Sequence, residues 1–151
     1  MPEKREIEII RKKFLLVGVL RFVRHDEDLE RIKKLSGVTL ISRLPEIEFC
    51  ADQNKRIRYI WNDSVNSEGY NYFECVEVLY RGKMPEGFVV LEFPESDYAV
   101  FDALPGEGGE YARHFWLPKS DYIENFEICG EFEMSDTLGG KTKYLIPVCH
   151  K

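Results

Sequence analysis

Phe88-Val89-Val90-Leu91-Glu92-Phe93, Pro94-Glu95-Ser96-Asp97 and Tyr98-Ala99-Val100-Phe101 form the stretch that decides the fold. Two apolar clusters flank an interruption at Pro94–Asp97, and residues 88–104 together read as a strand region. The stretch matters because it restarts a pattern. Residues 7–23 are a strand region of the same kind, densest at Phe14-Leu15-Leu16-Val17-Gly18-Val19-Leu20. That near-continuous apolar run suits a strand covered on both faces. After the first region, His25-Asp26-Glu27-Asp28 supplies acids for a helix start, and Leu29, Ile32 and Leu35 follow at helical spacing. Ser36-Gly37 ends that helix or Val38 to Ile41 extends it; the pattern leaves both open. Residues 43–54 read as a connection. Arg56-Ile57-Arg58-Tyr59-Ile60-Trp61 begins with strand alternation, 62–69 is loop, and 70–80 is a second strand rich in aromatics. After the second region come a short helix at 110–116 and two strands, 125–134 and 142–149. Each half reads strand, helix, strand, strand. The expectation is one α+β domain over residues 1–151, with duplicated βαββ units forming a pseudo-twofold sheet and a cleft between two helices.

Composition narrows the function classes. The chain has 151 residues, 44% hydrophobic and 32% charged, with a net charge of −6. This is enough chain for one cored domain. The acidic balance carries no phosphate-binding footprint, and the basic runs Lys4-Arg5, Arg11-Lys12-Lys13 and Lys33-Lys34 are short. No direct nucleic-acid contact is expected. No window approaches the roughly 18 apolar residues of a membrane span, and the N-terminus lacks a secretory apolar core. The expected location is cytoplasmic, with no membrane contact. Cys50, Cys75, Cys129 and Cys149 form no Cys-x-x-Cys pair, and His25, His114 and His150 add no ligand spacing. Neither disulfides, a metal nor a cofactor is expected.

Candidate chemistry lies near the second helix. Phe115-Trp116-Leu117-Pro118 ends that helix, because Pro118 cannot continue it. Ser120-Asp121 turns the chain, and the strand expected next puts Phe126 and Ile128 on one face, Glu127 and Cys129 on the other. Two readings stand side by side: an acid in an aromatic cavity, or a solvated Glu on a half-exposed strand.

The later half also resembles a known family, the GyrI-like small-molecule-binding domains that form effector-binding parts of some AraC-type and MerR-type regulators. The resemblance rests on Val76-Glu77-Val78, Met84-Pro85-Glu86-Gly87-Phe88, Phe93 to Phe101, Trp116-Leu117-Pro118-Lys119-Ser120-Asp121-Tyr122, Phe126-Glu127-Ile128 and Ile146-Pro147-Val148. It implies two βαββ units with a ligand pocket between them, lined by aromatics and holding the acid of the Phe-Glu motif, here Glu127. The ligand implied is a small apolar or amphipathic molecule, cationic in the multidrug-sensing members, since aromatic faces and a dry carboxylate attract cations. Some members of the family are hydrolases of cyclopropane-bearing genotoxins; there Glu127 would position or activate water. A third, weaker reading is a protein-binding topoisomerase inhibitor. No helix-turn-helix precedes the domain, so it is expected to act alone or in trans on a regulator.

The aromatic candidates for the pocket are Trp116, Phe115, Tyr59, Trp61, Tyr72 and Tyr98. Strand alternation splits neighbours between pocket and core. Departures from the family pattern bear on the ligand. Cys129 replaces a usual Tyr, Lys143 and Leu145 replace the acid and Tyr before Pro147, and Cys75 stands where Gly is usual. The change of an acid to Lys143 weakens the case for a purely cationic ligand.

Overall fold

The protein is described from a computed structural model over residues 5–62, 68–102, 104, 109–125, 127–128, 131–138 and 140–151. Among these the order is β1 (Glu8–Arg24), α1 (Leu29–Arg43), β2 (Lys55–Trp61), β3 (Gly69–Glu77), β4 (Val89–Asp102), α2 (Ala112–Trp116), β5 (Tyr122–Glu124), β6 (Glu131–Asp136) and β7 (Thr142–His150). The fold is α+β, with the two βαββ units β1-α1-β2-β3 and β4-α2-β6-β7. Every pairing is antiparallel. The strand order β4-β1-β3-β2-β6-β7 closes on itself through a β4–β7 ladder, so the sheet forms a ring, and β5 extends β7.

The two halves meet where β2 pairs β6, with Arg58 opposite Glu133 and Tyr59 opposite Phe132. Within the halves, Arg58 faces Glu74 and Glu133 faces Tyr144.

Alternation divides each strand between the ring interior and the outer face. Phe14, Tyr59, Phe73, Tyr98, Phe132 and Leu145 share the interior cluster. Phe14 on β1 stacks on Phe132 of β6 at 5.0 Å, and those strands are not neighbours, so the contact spans the ring. The outer face carries both helices. Leu40 of α1 packs with Val17, Val19, Val76 and Val78. Ala112 of α2 and Leu117 just after it pack with Ala99, Phe101, Tyr144 and Ile146. Coverage on both faces is why β1 reads as a continuous apolar run.

Several expectations change. The break at Pro94–Asp97 does not interrupt β4. A register shift between Lys12 and Phe14 sets Lys13 against both Pro94 and Glu95. Pro94 donates no ladder hydrogen bond, and a bulge accommodates it. α1 runs through Gly37 to Arg43, capped by Asp28, whose side chain accepts from the Glu30 amide at 3.1 Å. The strand expected over 125–134 divides. Its start is a turn, because the Asn125 side chain accepts from the Glu127 amide at 3.1 Å and offers the backbone an alternative to a ladder. A short strand, β5, forms before that turn. Phe126 and Cys129 lie outside the described residues.

Among the described residues the ring interior holds one unmet polar group. Tyr98 is fully buried, and its hydroxyl has no hydrogen-bond partner among the described residues. Burial pushes its phenol up to about 12. Because the folded value lies above the unfolded value of about 10, this group leaves stability independent of pH below pH 10 and lowers it as pH rises from 10 towards 12. Tyr98→Phe should raise stability by about 1 kcal/mol at neutral pH, since no hydrogen bond is lost. Urea midpoints measured from pH 9 to 11.5 should fall less steeply for the variant. Equal slopes would remove Tyr98 as the source.

Candidate functional site

The strip of outer face between the two helices carries a buried acid. On β3, Tyr72, Glu74 and Val76 alternate with Phe73 and Cys75, and Val76 packs beneath α1. Glu74 is thus on the helix-bearing face, yet it is only 1% exposed. Glu is rarely so buried unless paired. Tyr72 donates its hydroxyl to Glu74 Oε1 at 2.7 Å, and Arg58 Nε donates to the same oxygen at 3.2 Å. Arg58 Nη1 donates to Glu133 Oε1 at 3.1 Å. Glu74 Oε2 is buried and accepts no hydrogen bond among the described residues.

The electrostatics follow from this geometry. Burial opposes the Arg58 charge, but the pull of Glu74 and Tyr72, the hydrogen bond to Glu74 and the Glu133 charge outweigh it and raise its pKa. Burial, then the charge and hydrogen bond of Glu74, push the Tyr72 phenol up. Tyr72 therefore stays a donor. Along the α1 side, Arg21 Nε donates to the buried Ser36 hydroxyl at 3.1 Å. Along the α2 side runs an aromatic row. Tyr144 sits 5.8 Å from Phe101, Phe101 6.2 Å from Tyr111, and Tyr111 6.1 Å from Phe115. The arrangement offers a carboxylate pair bridged by one arginine, with apolar rings alongside. Phe101, Tyr111 and Tyr144 are buried in the cluster under α2, and Phe115 is the exposed ring of the row.

The residues singled out from sequence do not converge. Tyr59, Trp61 and Tyr98 belong to the ring interior, where Tyr59 stacks on Trp61 at 4.9 Å and on Phe132 at 4.6 Å. Tyr72 alone touches Glu74. Trp116 stacks on Tyr122 at 5.8 Å, and Tyr122 meets His150 at 4.6 Å, so Trp116 is a packing residue at the end of α2. Phe115 is 49% exposed. Glu127 is exposed and lies on the turn before β6, not on a strand. Sequence reasoning missed Arg58, Glu74 and Glu133. The available signal was an acid between Phe73 and Cys75 in an otherwise aromatic strand, two residues from a tyrosine.

The family departures acquire structural partners. Lys143 pairs with Asp102 at 3.0 Å, and Leu145 fills the ring interior. Cys75 lies opposite Gly18, whose missing side chain leaves room for it.

A cleft of about 980 Å³, which shares Phe101 with the aromatic row, opens between the start of β1 and the ends of β4 and β7, lined by Arg5, Glu6, Ile7, Glu8, Val100, Phe101, Asp102 and Lys143. None of the sequence candidates lines it. Its acids Glu6, Glu8 and Asp102 are exposed, whereas Glu74 carries an unmet acceptor out of water, so Glu74 is the stronger candidate. Among the described residues no group of three or more His, Cys, Asp or Glu side chains could hold a metal ion. No helix among them is long and apolar enough to cross a membrane.

No family model matches the sequence, and no curated protein matches it. Solved structures match in fold. The EcmrR C-terminal domain superposes with a TM-score of 0.64 at 11% identity, covering 97% of this chain and 99% of that one. SAV2435 bound to tetraphenylphosphonium gives 0.62 at 13% identity, with 97% and 94% covered. EcmrR in its complex with DNA gives 0.63 at 13% identity, covering 97% of this chain; the chain spans 58% of that regulator's length. The GyrI-like resemblance in the sequence agrees with these neighbours at the level of the fold.

Proposed function

We propose that this chain is a small-molecule-binding effector domain whose ligand, an amphipathic cation with an aromatic body, is held at Glu74. The carrying observation is the Glu74 carboxylate, buried with one oxygen accepting no hydrogen bond and an aromatic row across the strip. A buried, incompletely satisfied carboxylate is costly to keep for stability alone. The structural neighbours support the reading by fold, and SAV2435 is a neighbour bound to an aromatic cation. Action on a transcription regulator is part of the same proposal.

Calorimetric titration with tetraphenylphosphonium tests it. Binding is expected, and Glu74→Gln, which keeps the shape and removes the charge, should weaken it by about tenfold or more. Glu127→Gln is the comparison, since the family motif points there. Loss of binding in Glu127→Gln with none in Glu74→Gln would return the site to the turn before β6.

A further inference from the structure

We infer that the Glu74 position selects cations bearing N–H donors, favouring protonated amines over permanently methylated analogues of the same shape. The inference rests on the proposed binding function and specifies its ligand. Both donors to Glu74 converge on one oxygen: Tyr72 at 2.7 Å and Arg58 at 3.2 Å share Oε1. Oε2 is buried and accepts nothing among the described residues. An ionised carboxylate has acceptor sites on both oxygens, and leaving one oxygen dry and unmet is unfavourable. A ligand N–H satisfies it. A trimethylated nitrogen carries the same charge but has no proton to give.

Arg58 strengthens the case. A guanidinium facing one carboxylate often forks across both its oxygens. Arg58 instead splits, giving Nε to Glu74 and Nη1 to Glu133, and so leaves Oε2 unbonded. Its side chain is 32% exposed, so it forms the solvent side of the cluster. Glu74 and Glu133 set two carboxylates against Arg58, while the other guanidinium of the strip, Arg21, is turned to Ser36 on the α1 side. Arg58 is itself an N–H-bearing cation against both acids, so the strip already accommodates the chemistry that an ammonium would bring.

The test compares 1-naphthylmethylammonium with its N,N,N-trimethyl analogue by calorimetry on the full chain, beside tetraphenylphosphonium. The primary ammonium should bind about tenfold or more tightly than the trimethyl form, the effect of one charge-assisted hydrogen bond. Glu74→Gln should erase that preference, and Glu127→Gln should keep it. Tyr72→Phe, a milder change should Glu74→Gln fail to fold, removes one donor from Oε1 and should widen the preference. Equal binding of the two naphthyl cations, or tighter binding of the trimethyl form, overturns the inference while leaving the small-molecule reading intact. Binding of tetraphenylphosphonium alone does the same. Binding of none of the three overturns both.

Discussion

Replacing Phe132 with alanine will lower stability by about 3–5 kcal/mol, the range for truncating a fully buried aromatic. Phe132 is 1% exposed and lies where the walls of the ring meet. It stacks on Phe14 at 5.0 Å and on Tyr59 at 4.6 Å, and meets Phe93 at 5.2 Å and Tyr98 at 5.6 Å edge-on. Those partners come from β1, β2 and β4, so one side chain ties together three strands besides its own. The ring is closed by ladders on every side, which hinders its walls from collapsing into the space left. The cavity cost therefore adds to the lost transfer energy. Urea unfolding gives the measurement, and Phe132→Leu should lose distinctly less. A loss under about 1 kcal/mol for the alanine variant would mean that the interior is not packed around this residue.

Gly18→Ala should cost about 3 kcal/mol, at the upper end for inserting one methyl group into a filled site. Gly18 pairs with Cys75 on β3 and with Val89 on β4, so β1 is held on both edges at this residue. A Cβ there would lie 2.1 Å from the Glu74 carbonyl oxygen and 2.5 Å from the Cys75 Cα. These are backbone atoms, so a strand must shift rather than a side chain rotate. The strand that shifts carries Glu74, and tetraphenylphosphonium binding should weaken with stability. Gly37→Ala is the control: it meets nothing within 4 Å and lies in α1, where alanine is favoured by about 1 kcal/mol. Stability of Gly18→Ala equal to wild type would contradict the close approach of β1 and β3.

Particular residues separate what was legible from what was not. The apolar run at Phe14–Leu20 and the alternation at Arg56–Tyr59 state their own conformation, because side-chain period follows backbone geometry within a few residues. The doubled order of elements came from the same local signals, and so did the acids before Leu29. Pro94 misled, because a bulge in β4 itself accommodates it, and the Lys13 that faces that bulge lies some 80 positions away in the chain. Asn125 misled in the opposite sense, ending in a turn where the apolar pattern after it favoured a strand.

The candidate site was less legible than the fold. An acid on a strand reads alike whether it faces water or a dry strip. Glu127 and Glu74 differ only in what the folded chain lays around them. Glu127 sits on an exposed turn, while Tyr72 and Arg58 close on Glu74 and α1 covers the strand that carries it. The sequence by itself determined the period of each element, their duplicated order and the acidic charge that disfavours polyanions. Only the tertiary structure decided that β4 and β7 close the ring, which aromatic side chains its interior takes up, and which carboxylate is withdrawn from water. Those outcomes depend on pairings between distant strands, and burial is a property of the neighbours those pairings supply.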